Sequence, residues 1–323
     1  MVISKTPLRI SFFGGGTDFV DFSKKYGGAT LSTSIDKYSH VFLRDLPVFC
    51  DYRNEILYKK IERVNSIDDI EHPICRETLK LFELNGLRII YDSDMPARCG
   101  LGSSSAFSVG LVNAICSYKG EQIDKYKLAK TAINIERNLC KEAGGLQDQI
   151  ASAFGGFNFV EYHGNDFEVQ PMNISNERIS ELENNLMMFF TGITRFSSEV
   201  QKAVKIDNQE VINTLLQMKE LTIYAKEILS SNDKSLSEFG DLLNETWKLK
   251  KKTSSKVSND QIDQYYWHAL DAGARGGKLL GAGGGGFLLF YVDNNKQNDV
   301  RQKLKDLQEV SLKFDNNGSQ IIF

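Results

Sequence analysis

The sequence has few of the residues that build metal centres or disulfide frameworks. Its four histidines are scattered, with none paired at metal-ligand spacing. The five cysteines, Cys50, Cys75, Cys99, Cys116 and Cys140, are odd in number and form no Cys-x-x-Cys pair. This pattern argues against a zinc site and a disulfide scaffold and fits reduced thiols, so a cytoplasmic location is expected. No apolar run approaches the roughly 20 residues needed to span a bilayer. Residues 1–5 read into a strand rather than a signal peptide. An excess of charge of one sign is also missing: 39 basic residues against 42 acidic ones leave a net charge of −3. There is thus no overall basic field for nucleic acid or an anionic membrane. With 41% hydrophobic and 25% charged residues in 323, the composition is that of a soluble globular chain of one large domain or two.

What is present is glycine, gathered at three places. The central cluster lies in residues 94–107, after an apolar run (Leu87, Ile89, Ile90, Tyr91) that reads as a strand. It opens a segment with Ala106, Phe107, Val109, Val112, Ile115 and Cys116 at helical spacing. Gly100 and Gly102 have no Cβ, so the backbone there can approach a ligand closely. The first N–H groups of the following helix lack intrahelical partners and favour an anion. Ser103, Ser104 and Ser105 add hydroxyls for phosphate or Mg²⁺. The plainer alternative is a serine N-cap after a glycine turn. Three adjacent hydroxyls and two further glycine clusters favour phosphate.

Residues 96–106, from Pro96 through Arg98, Gly100, Leu101, Gly102 and Ser103–105 to Ala106, resemble the phosphate-binding motif of the GHMP small-molecule kinases. It is not a Walker A loop, because no Gly-Lys-Ser/Thr follows the glycines. The stretch from Pro7 and Arg9 to Gly14, Gly15, Gly16, Thr17 and Asp18 is similar to the family's N-terminal motif. The stretch from Gly276 and Lys278 to Gly281, Gly283, Gly284, Gly285, Gly286 and Phe287 is similar to its C-terminal glycine-rich motif. Three motifs in order cover nearly the whole chain. One departure is Arg98, where the family usually has a small residue.

The resemblance implies an α+β, two-domain GHMP-kinase fold. Its N-terminal domain would be like ribosomal protein S5 domain 2, and its C-terminal domain ferredoxin-like. The expected division is 1–175, binding ATP, and 176–323, with the polar and weakly periodic residues 163–184 as the boundary. It also implies an ATP- and Mg²⁺-dependent kinase. Arg98, Gly100, Leu101, Gly102 and Ser103–105 would hold the nucleotide, and Ser104 and Glu136 the metal. Asp148, in a Gly-x-x-Asp-Gln signature, would take the acceptor proton with Arg9 beside it. Gly15, Gly16, Thr17, Asp18, Gly283 and Gly284 would meet the substrate. From pattern alone, Glu136 on the helix expected at 124–142 reads as a solvated charge. Asp148 likewise reads as a first-turn charge complementing a helix dipole.

Arg195 and the basic run at Lys248 and Lys250–252 read first as surface charge. Trp247 with Lys250 resembles an element of the family's heptose-kinase branch, which makes Arg195 and Lys250 candidates for a substrate phosphate. That branch implies phosphorylation of the anomeric 1-hydroxyl of a heptose 7-phosphate, for surface polysaccharide. A kinase of an unphosphorylated sugar such as fucose is the alternative, and a non-catalytic sugar- and ATP-binding sensor the rival of another class. A decarboxylating relative is disfavoured by the sugar-type Thr17-Asp18. Expected partners are a sugar phosphate and ATP, with no nucleic acid or membrane, and a homodimer is left open. Strands are read at 8–13, within 27–49, at 186–190 and from 287. Helices are read at 208–231, 234–250, 259–275 and 297–309. The glycines before Phe287 are expected to lie against the nucleotide loop.

Overall fold

A computed structural model of the chain describes residues 1–193 and 197–323. Two long strands, β1 (Val2–Phe13) and β2 (Gly28–Asp45), form the antiparallel spine of a first sheet. β2 is a single 18-residue strand in which register shifts against β1 bend the pair. The remaining strands of this half are β3 (Asn54–Leu57), β4 (Ile61–Val64), β5 (Leu87–Ser93), β6 (Phe157–His163) and β7 (Asp166–Pro171). The strand path runs β1-β2-β5-β3-β4, and β6 pairs with both β2 and β7. β3 and β5 are parallel.

Helix Ser103–Tyr118 packs on β1 and β2, with helices Lys125–Ile133 and Gln147–Phe154 around it. It is buried on nearly every face, as its mostly apolar sequence requires. Among the described residues no helix is long and apolar enough to cross a membrane.

The second half supplies β8 (Leu186–Phe190), β9 (Ala274–Leu279), β10 (Phe287–Val292) and β11 (Gln308–Val310) in the order β11-β8-β10-β9. Every pairing in it is antiparallel. Helices separate β8 from β9 and β10 from β11, so this is the split β-α-β arrangement of a ferredoxin-like fold. The halves share one core. Phe12 of β1 stacks on Phe157 at 5.4 Å and meets Phe239, from helix Ser237–Thr253, edge-on at 5.3 Å. The fold is thus the α+β arrangement expected. The chain then returns to the first sheet, where β12 (Phe314–Asp315) pairs with β2 and β13 (Gln320–Ile321) with β1. The division into domains at 175/176 stays a proposal, with the closing residues lent back to the first sheet.

Other expectations change. The proposed boundary stretch, 163–184, contains β7 and most of helix Asn176–Asn185, begun by the Ser175 cap, where the sequence showed little periodicity. The helix expected at 124–142 is α-helical over Lys125–Ile133 and passes into a π-helical turn over Asn134–Leu139. The last expected helix stops at Lys303, and β11 follows.

Candidate active site

The site is built around Arg9, a buried side chain on β1. Its backbone N–H donates to the Leu101 carbonyl (3.0 Å), and its Nη1 donates to the Gly100 carbonyl (2.7 Å). Its Nε and Nη2 donate to the two oxygens of Asp148, each at 2.8 Å. One planar guanidinium therefore pins the glycine loop and orients a carboxylate in bidentate fashion. Asp148 is in the first turn of helix Gln147–Phe154, with a side chain 24% exposed, open enough to meet a substrate.

Asp18 supports the same turn from the other side. Its oxygens accept from the backbone N–H groups of Gly16 (2.9 Å) and Gln147 (3.0 Å). Burial pushes its carboxyl above the ordinary value, and the charge of Asp148 adds to this, while these backbone donors oppose it. Gly145 makes the approach possible, since a Cβ there would lie 1.9 Å from Asp18 Oδ2. Ser11 Oγ donates to Gln147 Oε1 (2.7 Å), so Gln147 is held through both its backbone and its side chain.

The glycine loop runs through Gly100 and Gly102, both at positive φ, into helix Ser103–Tyr118. It lies back to back with the C-terminal cluster, as expected. A Cβ on Gly281 would come within 2.5 Å of Gly100 Cα, and one on Gly286 within 2.1 Å of the Cys99 carbonyl. On the helix's first turn Ser104 is exposed into the cleft, while Ser103 and Ser105 are buried.

The hydroxyl that reaches Glu136 is that of Ser105, donating to Oε2 at 3.2 Å. Glu136 is buried on the π-helical turn, not solvated as its helical pattern alone suggested. Its Oε1 has no hydrogen-bond partner among the described residues. Burial pushes its carboxyl up to about 7, against the pull of Arg137. A buried carboxylate with an orphaned oxygen beside serine hydroxyls is a donor set that fits Mg²⁺, which takes one or two carboxylates and completes its shell with phosphate and water. Among the described residues no cluster of three or more acidic, histidine or cysteine side chains offers an all-protein metal cage.

Two lysines complete the centre. Lys250, in the last turn of helix Ser237–Thr253, is buried and donates to the Gly281 carbonyl. Burial lowers its pKa to about 8; Arg9 adds to the effect, and Asp148 and Asp18 oppose it. Lys278 on β9 donates to the carbonyls of Ser11 (2.8 Å) and Phe12 (2.7 Å). Burial, then Lys250 and Arg9, push its ammonium well below the ordinary value.

Arg9, Gly15, Gly16, Asp18, Arg98, Gly100, Gly102, Ser103–105, Glu136, Asp148, Lys250 and Gly283 line one cleft. Three other expected ligands, Thr17, Leu101 and Gly284, are not in this lining. Thr17 is fully buried, and its hydroxyl bonds the Gly14 and Ala29 carbonyls, each at 2.8 Å. Leu101 packs in the core. The Gly284 N–H donates to the Val257 carbonyl (2.8 Å). Arg195 lies outside the described residues. Sequence reasoning missed Lys278, Gln147 and Ser11. The signal for Lys278 was a lysine set between buried apolar and glycine positions of one strand.

Residues 71–156 match the family model for the N-terminal domain of the GHMP kinases, and residues 224–309 match that for the C-terminal domain. A D-glycero-alpha-D-manno-heptose 7-phosphate kinase of Campylobacter jejuni is 33% identical, covering 94% of this chain and 93% of its own length. A bifunctional fucokinase/GDP-fucose pyrophosphorylase of Arabidopsis thaliana is 27% identical over 96% of this chain, which spans only 32% of that protein. A crystal structure of a D-glycero-D-manno-heptose 1-phosphate kinase from Bacteroides thetaiotaomicron superposes with a TM-score of 0.80 at 27% identity, covering 100% of this chain and 99% of that one. The two heptose-kinase names differ in which phosphate the sugar carries. With both domain models matched in order, and a relative this similar along nearly its full length, the chain belongs to the GHMP family of kinases.

Proposed function

We propose that this protein is an ATP-dependent sugar kinase. It transfers the γ-phosphoryl group to the anomeric 1-hydroxyl of D-glycero-D-manno-heptose 7-phosphate and gives the 1,7-bisphosphate. The observation that carries the kinase reading is the Arg9–Asp148 pair, bidentate and set beside a glycine loop that opens a helix. The likeness to kinases of heptose phosphates supports the substrate class.

Phosphoryl transfer depends mainly on positioning and charge neutralisation. The glycine loop and the N–H groups of helix Ser103–Tyr118 bind the triphosphate. Ser104 and Glu136, with Ser105 orienting the carboxylate, would hold Mg²⁺, which would supply charge neutralisation to the phosphate oxygens. Asp148 takes the proton of the acceptor hydroxyl, and Arg9 fixes the direction in which its oxygens point. Gly15, Gly16, Asp18 and Gly283 line the sugar side. Lys250 and Arg195 supply positive charge for anionic groups.

The test is Mg²⁺-dependent ATP consumption with heptose 7-phosphate, mannose, fucose, galactose and mevalonate, with the product position read by phosphorus NMR. Preference for the heptose phosphate with product at C1 is expected. Preference for free fucose, the reading favoured by the fucokinase likeness, would overturn the substrate and keep the mechanism. ATP binding without turnover of any compound would leave a sensor.

A further inference from the structure

Three cations, Arg9, Lys250 and Lys278, converge in the cleft with two carboxylates, Asp18 and Asp148. Most of these groups are already committed. Arg9 is bidentate to Asp148, Lys278 holds the carbonyls of Ser11 and Phe12, and Asp18 accepts two backbone N–H groups. Lys250 differs. It is buried, it donates to the Gly281 carbonyl, and among the described residues no carboxylate lies within ion-pair distance of it. An ammonium has three donors, and a buried charge calls for a counterion.

The position says which anion. Gly281, which accepts from Lys250, lies against Gly100. The carbonyl of Gly100 in turn accepts from Arg9. Lys250 and Arg9 therefore each donate to one of the two glycine loops where these meet, and Lys250 is near enough to Arg9, Asp148 and Asp18 to feel their charges. This is the reacting end of the cleft. A phosphate on C7 would lie at the far end of a sugar whose C1 hydroxyl meets Asp148.

Building on the kinase reading, we infer that Lys250 is a catalytic residue that holds the terminal phosphoryl of ATP during transfer, not the sugar's own phosphate. In that step the bond from the sugar oxygen to Pγ forms as the bond from Pγ to the β,γ-bridging oxygen breaks. The electron pair of the broken bond leaves with ADP, and the hydroxyl proton passes to Asp148. Lys250 stays protonated and neutralises charge on the phosphoryl oxygens.

The test compares Lys250→Met and Lys250→Arg with wild type on D-glycero-D-manno-heptose 7-phosphate and on the unphosphorylated heptose. Loss of one group that stabilises the transition state predicts a kcat lower by about 10²–10³ in Lys250→Met. KM for the 7-phosphate should stay within about threefold, with the same kcat loss on the free heptose where wild type accepts it. Lys250→Arg should recover part of kcat. Binding of ADP with aluminium fluoride, in the presence of sugar, should weaken while binding of ADP alone does not, and this readout serves if turnover is too low to measure. A raised KM for the 7-phosphate with kcat retained, and no effect on the free heptose, would overturn the inference. If wild type turns over neither heptose, the kinase reading for this substrate fails and the inference falls with it. If wild type turns over the 7-phosphate and Lys250→Met matches it in kcat, the inference alone fails.

Discussion

Replacing Lys250 by methionine in the ligand-free protein separates the cost of a buried ammonium from its packing. A fall from the ordinary 10.5 to about 8 corresponds to about 3 kcal/mol at roughly 1.4 kcal/mol per pH unit. The sign follows from proton counts. Between pH 8 and pH 10.5 the unfolded chain holds the Lys250 proton and the folded protein has released it. Unfolding then takes up a proton, so wild-type stability rises with pH across this window. Below pH 8 both states are protonated and the full penalty applies.

Methionine has no such penalty, but it leaves the Gly281 carbonyl without its donor, at a cost of about 1–3 kcal/mol. At pH 7 the two effects nearly cancel, and wild type and Lys250→Met should agree within about 2 kcal/mol. Their difference should then move in favour of wild type by up to about 3 kcal/mol by pH 10.5, with a slope approaching about 1.4 kcal/mol per pH unit. Arg9, Asp18, Asp148 and Lys278 surround position 250 in both proteins. The titration of Lys250 is therefore the main source of the difference. Equilibrium urea unfolding of both proteins at unit pH steps measures it. A difference that does not change with pH would refute the claim that the ammonium is held against burial.

Three further outcomes follow from the same geometry. Asp148→Asn keeps an oxygen for Arg9, so the protein should fold and bind ATP by calorimetry while kcat falls by about 10²–10⁴; turnover within a few-fold of wild type would remove Asp148 from its role. Gly145→Ala places a methyl on Asp18 and should cost about 1–3 kcal/mol in thermal unfolding, together with a raised KM for the sugar. An unchanged melting temperature would show that this contact relaxes freely. Glu136→Gln should raise the Mg²⁺ concentration for half-maximal activity about tenfold or more while leaving metal-free ATP binding intact, and a magnesium titration decides it.

The parts of this site legible in the sequence were those carried by short, contiguous motifs. The glycine loop before Ser103, the Thr17-Asp18 turn and the Asp148 turn were each found because their residues adjoin one another in the chain. What joins them was not legible from the residues themselves, and only the family resemblance set Arg9 beside Asp148. Arg9 and Asp148 meet across 139 positions, and Lys278 reaches the Ser11 carbonyl across 267. Polar strands were missed for a different reason. β7 pairs only with β6 at the edge of the first sheet, so apart from Phe167 it needs little apolar character and leaves a weak alternation. β12 and β13 are two residues each, too short for any periodicity to register. Glu136 shows the limit most clearly. Its helical surroundings gave a solvated charge, and only the family likeness suggested a ligand. The turn that brings it inward is π-helical, with Ile135 and Glu136 both buried, a departure from the regular helical period that pattern reading assumes. The glycines divide in the same way. Gly100 and Gly102 suited a phosphate from sequence alone, but at Gly100, Gly281 and Gly286 glycine is also required by the backbone of another loop. That crossing also sets Lys250, which donates to the Gly281 carbonyl, within the charge field of Arg9, so part of the third motif's contribution is made through packing.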